Sequence, residues 1–373
     1  MIPVIRVNYT IPQILRAFLI GNAGTEYRSK LKEQISKTFG CNEVVLTSSC
    51  RNAIYLLLKS LPQKKVIVPA YTCGVVVEAA MIAGKELVYA KVNPKTLNVD
   101  EYPEIDADSV VVATHQYGLP CNMKELVARC KQIGAPVIED CAGSLGSTID
   151  NKLTGTFGDY SVFSFSASKT LHAPTKGGFI IANGNNKLVG LSEMPSDCSA
   201  KFKIKHLLKG IGFCLNNNSL FCLMMQMIAK GSKAPVENDS FRREETYKHG
   251  FYEWQAYFMT KQFEKLDKIL KARKEMVRIY NERIANPMVT KLEYYPDSVN
   301  IRYPIFVENR DAFIAKAHVA GIQIGSGYEK IYCPQDFVAE NKIIKSIVYL
   351  PMGSAYSHSE INKVINFVNK YKA

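Results

Sequence analysis

The feature that most constrains the fold is a regular alternation of short apolar runs with amphipathic segments over the first half of the chain. The apolar runs, which predict buried strands, lie at 66–68, 87–89, 110–113, 136–138 and 178–181, and the predicted helices lie at 52–60, 75–83 and 122–133. Apolar strands that alternate with helices indicate a mostly parallel sheet covered on both faces. Ligands of such sheets collect at the carboxyl ends of the strands, so the residues that follow each strand are the candidates for a site.

The second half of the chain has a different character. Residues 201–233 contain no acidic residue and mix lysines with Leu, Ile, Phe and Met, whereas 253–284 carries one apolar stripe and predicts a single long helix. The segments at 300–307, 311–320, 346–350 and 359–371 predict a small α+β unit. We therefore expect a large α/β domain over residues 1–250, with a basic apolar insertion at 190–250, and a smaller C-terminal domain over residues 251–373.

The chain is basic, with 47 Lys and Arg against 34 Asp and Glu and a formal net charge of +13. A basic surface suits nucleic acid, an anionic membrane or phosphorylated small molecules. Zinc-finger, RNP-type and basic-zipper patterns are absent from the sequence, which argues against nucleic acid. The ten cysteines form no CxxC pair and no Cys/His cluster, which predicts free thiols in a reducing cytoplasm and no metal site. Arg6 and Arg16 interrupt the apolar N-terminus and no run of about 18 apolar residues occurs, so the sequence predicts neither a signal peptide nor a spanning helix.

Three clusters of polar residues directly follow predicted strands. Asp140 ends the run that contains 136–138, Lys169 closes the hydroxyl-rich stretch SFSASK, and TSSCRN at 47–52 opens a helix. A helix N-terminus with Ser and Thr donors binds phosphate, a buried carboxylate keeps a pyridine nitrogen protonated, and a desolvated lysine forms a Schiff base with an aldehyde. Singly, each cluster is more often a helix cap or a solvated surface residue. Together they predict pyridoxal 5′-phosphate (PLP) as the cofactor, with Lys169 as its covalent anchor.

The order of these clusters along the chain resembles a known family. The stretches VVLTSSCRNAIYLLL, VIVPAYTCGVVVEAAMIAGKELVYAKVNPKTLNVD, THQYGLPCNM, APVIEDCAGSLGS, GTFGDYSVFSFSASKTLHAPTKGGFII and YLPMGSAYSHSEINKVINFV are similar to the sugar aminotransferases of the DegT/StrS type. The resemblance covers nearly the whole chain and is weakest at 190–250. It implies an α/β, fold-type I PLP transferase and a homodimer. Its large domain would have a mixed, mostly parallel sheet between helices, beside a smaller α+β C-terminal domain.

The resemblance also implies roles for individual residues. Lys169 would bind the cofactor and later move protons, Asp140 would pair with the pyridine nitrogen, and Ser164 would bond the phosphate. Further cofactor contacts are implied for Cys50 and Arg51 at the phosphate-binding helix, for Cys73 and Ala142, and for Lys248 across a dimer interface, while His115 and Tyr71 are expected to line the substrate pocket.

Five positions depart from the family's pattern, and two of them, Lys248 and Gly250, stand where the family has asparagine and arginine shortly before the long helix. Gly143 stands where the family usually has a glutamine that contacts the ring hydroxyl of the cofactor, and Leu145 stands where it has a histidine. Cys73 replaces the aromatic residue that stacks on the ring, and Tyr71 is the candidate to take over that role. These departures concern the substrate more than the cofactor.

The main functional hypothesis is an aminotransferase that moves an amino group from glutamate to a nucleotide-linked keto sugar, for an amino sugar of a surface polysaccharide or a secondary metabolite. A sugar dehydratase on the same fold is a second hypothesis, although relatives with that activity have histidine at the position of Lys169. A third is a non-catalytic sensor or scaffold that keeps the fold. Residues 201–233 predict either an amphipathic cover for the large domain or an interfacial helix on an anionic membrane.

Overall fold

The computed structural model of the protein describes residues 1–191, 200–228, 250–328, 330–334 and 337–372. In these ranges the helices are α1 (Ile11–Ala23), α2 (Tyr27–Phe39), α3 (Cys50–Ser60), α4 (Gly74–Ile82), α5 (Met123–Ile133), α6 (Ala200–Leu215), α7 (Ser219–Ile228), α8 (Glu253–Phe263), α9 (Leu266–Arg283), α10 (Arg310–Val319), α11 (Val338–Ser346) and α12 (His358–Lys370). The strands are β1 (Glu43–Thr47), β2 (Lys65–Pro69), β3 (Glu86–Ala90), β4 (Ser109–Thr114), β5 (Val137–Asp140), β6 (Thr148–Ile149), β7 (Lys152–Leu153), β8 (Tyr160–Ser164), β9 (Gly178–Ala182), β10 (Val289–Lys291), β11 (Tyr303–Val307), β12 (Gly325–Ser326) and β13 (Ile347–Leu350). The three helices predicted in the first half of the chain are α3, α4 and α5, and the five predicted strands are β2, β3, β4, β5 and β9.

Within the described residues, the main sheet has seven strands in the order β1-β9-β8-β5-β4-β2-β3. β9 runs antiparallel to both of its neighbours, β1 and β8. The other pairs are parallel. The prediction of a mixed, mostly parallel sheet is confirmed. Because β1 and β8 both oppose β9, they run in the same direction, and their carboxyl ends lie at the same edge of the sheet as that of β5.

Alternate residues of each strand enter separate cores on the two faces of the sheet, as the two-residue period of a strand requires. Leu46 and Phe163 pack on the face covered by α1, α2 and α8, in the core that includes Trp254. Val45 and Val162 pack on the opposite face, against α3 and α4. Helices therefore cover both faces, which leaves the strand ends as the place for polar groups.

A second, smaller sheet has the order β10-β11-β13-β12. Its core combines Ile305 of β11 and Val348 of β13 with Tyr280 of α9 and Val364 of α12. Ile2 packs in this same core, and a parallel bridge joins it to Ile322. The first residues of the chain thus pack with the C-terminal unit, although the sequence boundaries assigned them to the large domain.

The prediction of one long helix over residues 253–284 is wrong. α8 ends at Phe263 and α9 begins at Leu266. Trp254 of α8 and Ile269 of α9 pack in a core of the large sheet, whereas Tyr280, about three turns further along α9, packs in the core of the second sheet. The break between the helices lets the segment pack against both cores. α9 itself passes from the first core to the second, so the boundary between the two packing units falls inside α9 and not at residue 251.

The basic apolar segment contains α6 and α7, which are separated by three asparagines at 216–218. Asn218 Oδ1 accepts hydrogen bonds from the N–H groups of Leu220 at 2.9 Å and Phe221 at 3.1 Å, which caps α7. Among the helices in the described ranges, none combines the length and the hydropathy that crossing a membrane requires. Residues 229–233 and Lys248 lie outside the described residues.

Candidate active site

Three strands of the main sheet end at one edge, and the predicted site residues follow them. β5 ends at Asp140, and its parallel neighbour β8 ends at Ser164, shortly before Lys169. β1 leads to the same edge and is followed by α3, which begins at Cys50. Asp140 and Lys169 both lie close enough to the Cys50 thiol for their charges to act on it. The three clusters that the sequence indicated are therefore brought together.

Asp140 is a buried carboxylate, 5% exposed. Its Oδ1 accepts a hydrogen bond from the N–H of Ala142 at 3.0 Å. Burial raises the pKa of Asp140 above its ordinary value, while the Ala142 N–H and the charge of Lys169 act in the opposite direction. A proton-donating cation is the partner that stabilises such a carboxylate, and a protonated pyridine nitrogen is one.

The N-terminus of α3 faces the start of β9. Ser49 caps the helix by accepting a hydrogen bond from the N–H of Asn52 at 3.2 Å. The N–H groups of Cys50 and Arg51, in the first turn, have no acceptor within the helix. A Cβ atom on Gly178 would lie 2.8 Å from Cys50 N, so glycine is needed for β9 to pass this close. A helix start of this kind binds an anion through its free N–H groups.

The side chains of Cys50 and Arg51 take separate positions. Burial raises the pKa of the Cys50 thiol well above its ordinary value, and the Asp140 carboxylate adds to the shift, so the thiol is protonated. Arg51 Nε lies 3.4 Å from Glu78 Oε2 of α4, and both side chains are buried. The guanidinium that the resemblance implied as a phosphate contact forms an ion pair with Glu78, while its Nη1 has no hydrogen-bond partner among the described residues. A phosphate contact by Arg51, beside the helix N–H groups, therefore stays a prediction.

Lys169 is half-buried, in a turn that follows β8. Its N–H donates to Ser166 O at 3.0 Å, and Ser164 Oγ accepts from the N–H of Ser166 at 3.4 Å. The carbonyl oxygen of Lys169 accepts hydrogen bonds from His172 Nδ1 at 2.8 Å and from Arg273 Nη2 at 3.2 Å. Sequence reasoning left His172 unassigned and missed Arg273, because no local pattern links positions 169 and 273.

At two of the positions that depart from the family's pattern, the residue packs closely against other parts of the protein. A Cβ atom on Gly143 would lie 3.3 Å from Gly118 N and 3.3 Å from Ile301 Cδ1, so a glutamine there would require its neighbours to move. Leu145 is 4% exposed and packs in a core of the large sheet. The residues at both positions therefore suit their surroundings in this chain.

Cys73 and Tyr71 lie between β2 and α4. Cys73 is partly exposed and directly precedes the first residue of α4. Tyr71 is fully buried, its hydroxyl lies 2.7 Å from that of Tyr117, and its ring centroid lies 4.9 Å from that of Tyr328. Tyr71 is thus part of a buried tyrosine cluster, and its role as a substitute stacking ring stays a prediction.

His115 is buried and both of its ring nitrogens have protein partners. Nδ1 accepts a hydrogen bond from the N–H of Cys121 at 3.1 Å, so Nε2 carries the proton and donates to Glu139 Oε2, also at 3.1 Å. Glu139 accepts three more hydrogen bonds, from the N–H groups of residues 155, 157 and 158. His115, Glu139 and Cys141 have the mutual spacing of metal ligands, but these hydrogen bonds already occupy the ring and the carboxylate. These bonds tie His115 to the sheet edge, and its place in the substrate pocket stays a prediction.

The residues at this edge fit the PLP that the sequence predicts. The N–H groups at the start of α3 suit a phosphate, Asp140 suits a protonated ring nitrogen, and the half-buried amine of Lys169 suits an aldehyde. Gly178 brings no side chain to the helix start, although the backbone of β9 passes close to it.

The chain matches one protein family over nearly its whole length. The family model described as the DegT/DnrJ/EryC1/StrS aminotransferase family covers residues 10–369. UDP-N-acetyl-3-dehydro-alpha-D-glucosamine 3-aminotransferase of Acidithiobacillus ferrooxidans is 32% identical over 185 residues, which are 47% of this chain and 49% of that protein. GDP-perosamine synthase of Vibrio cholerae is 23% identical over 374 residues, which are 93% of this chain and 91% of that protein. The chain therefore spans about half the length of the first relative and nearly all of the second.

A solved structure shows the same fold. The sugar aminotransferase CalS13 from Micromonospora echinospora superposes with a TM-score of 0.72 at 18% sequence identity, over 99% of both chains. This likeness confirms the predicted fold class.

Proposed function

The chain belongs to the DegT/DnrJ/EryC1/StrS aminotransferase family, and we propose that it uses PLP to move an amino group from glutamate to a nucleotide-linked keto sugar. The names of the two relatives support this substrate class, since one is a UDP-sugar aminotransferase and the other makes a GDP-linked amino sugar. The product would be an amino sugar for a surface polysaccharide or a secondary metabolite.

One observation carries the proposal: Lys169, Asp140 and the start of α3 meet at a single edge of the sheet. When bound, the cofactor supplies an electron sink next to the substrate carbon. Asp140 would hold a proton on the ring nitrogen through its negative charge. The α3 N–H groups orient the phosphate. The Lys169 amine would hold the aldehyde and would move a proton at the substrate carbon.

The first test is visible absorbance with and without Lys169. The wild type mixed with PLP should develop a visible band, which should disappear on adding glutamate as the cofactor is converted to its amine form. Lys169→Ala should show neither change and should lose at least about a thousandfold in transamination rate. Lys187→Ala, which removes an exposed lysine, is the matched control and should behave as the wild type. A wild-type protein without the band would refute the proposal.

A second test addresses the sugar. The protein is incubated with glutamate, PLP and keto sugars linked to UDP, GDP or dTDP, and 2-oxoglutarate and the amino sugar are measured. Formation of an amino sugar from at least one of them is expected. Conversion of glutamate without amination of any of these sugars would reject the substrate class and leave the aminotransferase chemistry in place.

We also propose a cytoplasmic homodimer in which Lys248 of one copy reaches the site of the other. The support is the resemblance alone, since Lys248 lies outside the described residues. Lys169→Ala and Lys248→Ala proteins, each inactive or weakened alone, should regain activity when mixed and allowed to exchange subunits, because one site of the mixed dimer is then intact. No gain on mixing, or a single-chain mass by light scattering, would contradict this arrangement.

Contact with an anionic membrane is a further proposal, supported by the outer face of α6. Ile204 and Leu208 are 48% and 61% exposed, and Lys205 and Lys209 lie next to them on a helix without acidic residues. Leu19 of the adjacent α1 is 71% exposed. Apolar residues with interspersed lysines suit a helix lying in a headgroup layer.

Sedimentation with vesicles tests this contact. We expect the protein to sediment with phosphatidylglycerol vesicles at low salt and not with phosphatidylcholine vesicles. Lys205→Glu/Lys209→Glu should abolish the sedimentation, whereas Lys342→Glu, at an exposed lysine of α11, should leave it unchanged. Equal behaviour of the three proteins would remove the proposal.

A further inference from the structure

The main-chain carbonyl of Lys169 is held from two directions by buried side chains. His172 Nδ1 donates to it at 2.8 Å and Arg273 Nη2 at 3.2 Å. Both side chains are 2% exposed. Arg273 belongs to α9 and also donates to Asn300 O at 3.0 Å, directly before the second sheet. The position of the Lys169 backbone, and through it the reach of its amine, is therefore set by groups outside its own turn.

The hydrogen bonds define the protonation state of His172. A carbonyl oxygen can only accept, so Nδ1 carries the proton that is donated to Lys169. Nε2 accepts a hydrogen bond from the N–H of Asn8 at 3.3 Å, so it has no proton. The neutral ring agrees with its surroundings, because burial and the neighbouring Arg273 lower the pKa of His172 to about 3. His172 thus joins Asn8 to Lys169 without becoming charged.

Asn8 lies in an N-terminal strap, residues 2–9, which runs to this point from the C-terminal unit. At its beginning, the backbone of Ile2 bonds to that of Gly321 and Gln323 at 2.8 and 2.9 Å. Farther along, Arg6 makes two hydrogen bonds of 2.7 Å to Glu360, at the start of α12. The strap therefore connects the second sheet to His172.

We propose that His172 is a positioning residue for Lys169 and that it couples this lysine to the N-terminal strap. The inference rests on the proposed function, in which the Lys169 amine binds the cofactor aldehyde. His172 touches neither the amine nor the reacting atoms. Its effect is to fix the main chain from which the amine extends, and the strap extends that constraint to the C-terminal unit.

Two substitutions of His172 separate its two hydrogen bonds. The amide nitrogen of asparagine occupies the place of Nδ1, so His172→Asn keeps a donor for Lys169 O and loses the acceptor for Asn8. The amide of glutamine reaches the place of Nε2, so His172→Gln keeps the acceptor for Asn8 and loses the donor for Lys169. Arg6→Ala removes the hydrogen bonds of the strap to Glu360, two residues before Asn8, without touching the site.

Two measurements report on the lysine. The first is the rate at which limiting acetic anhydride modifies Lys169 in the cofactor-free protein, read by mass spectrometry against exposed lysines. The second is the PLP concentration that gives half of the visible band. We expect His172→Gln to raise both about fivefold, as for the loss of one hydrogen bond. His172→Asn should stay within about twofold of the wild type.

The strap is tested by combining variants. Arg6→Ala should raise the acetylation rate of Lys169 about twofold in the wild type and have no further effect in His172→Asn, where the connection is already cut. Additive effects of the two changes would overturn the coupling. If His172→Gln matches the wild type in both measurements, or His172→Asn is impaired as strongly as His172→Gln, the positioning role is refuted.

The design separates failure of this inference from failure of the proposed function. A wild type that forms no visible band with PLP refutes the proposed function, while acetylation of the cofactor-free protein still decides whether His172 positions Lys169. Circular dichroism establishes that each variant is folded. Should His172→Gln not fold, the Arg6→Ala and His172→Asn cycle decides the proposal by acetylation alone.

Discussion

Gly178→Ala is expected to damage both the stability of the protein and its cofactor site. The first residue of β9 passes between β8 and the start of α3. A Cβ atom there would lie 2.5 Å from Phe163 O, 2.8 Å from Cys50 N and 3.0 Å from Ser49 C. All three are backbone atoms, so no side chain can rotate away to make room.

The size of the destabilisation depends on which groups must move. Adding one methyl group to a packed interior costs roughly 1–3 kcal/mol when the surroundings have to shift. The shift here either separates β9 from its antiparallel partner β8 or displaces the first turn of α3. We therefore expect a loss of about 2 kcal/mol in the free energy of unfolding. We also expect about a tenfold rise in the PLP concentration for half-saturation, because the phosphate-binding N–H groups belong to that turn.

The assay is urea unfolding of the cofactor-free protein, followed by a PLP titration of the visible band. Gly212→Ala is the matched control, because the structure has nothing within 4 Å of a Cβ atom at this position in α6. That substitution should stabilise the protein by up to about 1 kcal/mol, since alanine favours a helix over glycine. If Gly178→Ala is as stable as the wild type and binds PLP equally well, the close approach described here is incorrect.

Three further outcomes concern carboxylates that accept hydrogen bonds within the protein. Glu139→Gln should lower the free energy of unfolding by about 3 kcal/mol in urea titrations, because one amide N–H group would face backbone N–H donors that now bond the carboxylate. Burial raises the pKa of Asp140, so its protonated form favours the folded state and that contribution is lost as the pH rises through the folded-state pKa. Asp140→Asn should therefore raise the melting temperature of the cofactor-free protein at about pH 8, have less effect at acidic pH, and weaken PLP binding; an equal shift at every pH would contradict this. Burial also raises the pKa of Glu360, but the hydrogen bonds from Arg6 and Ser357, together with the charge of Arg6, outweigh it and hold the value at about 2. The stability from this pair is thus present above the ordinary pKa of 4.5 and lost as the pH falls towards 2, so the deficit of Arg6→Ala measured at pH 6 should shrink in acid.

The parts of the fold that the sequence predicted are those set by local periodicity. β4 is apolar at nearly every residue because both faces of the sheet are covered, and α5 shows its buried face as Met123, Leu126 and Cys130 at helical spacing. The break between α8 and α9 could not be seen in this way. Both helices keep the helical period, and only the position of two separate cores determines that Trp254 and Tyr280 pack in different places.

The site residues also fall into those that a local pattern predicts and those that only distant contacts determine. Asp140 and Lys169 were identifiable because parallel strands bring their carboxyl ends to one edge, so each residue is located by the strand before it. His115 occupies an equivalent place, yet its role is decided by Glu139, 24 residues away in sequence. His172 and Arg273 depend on still more distant partners, since Asn8 is 164 positions from His172 and Lys169 is 104 positions from Arg273. A residue whose chemistry depends on its own strand end can be predicted from sequence, whereas a residue that positions another by a long-range hydrogen bond has no local signal. Such contacts fix the backbone of Lys169. Substitutions of His172 and Arg273 should therefore change the function of this chain, although no sequence motif assigns these two residues a role.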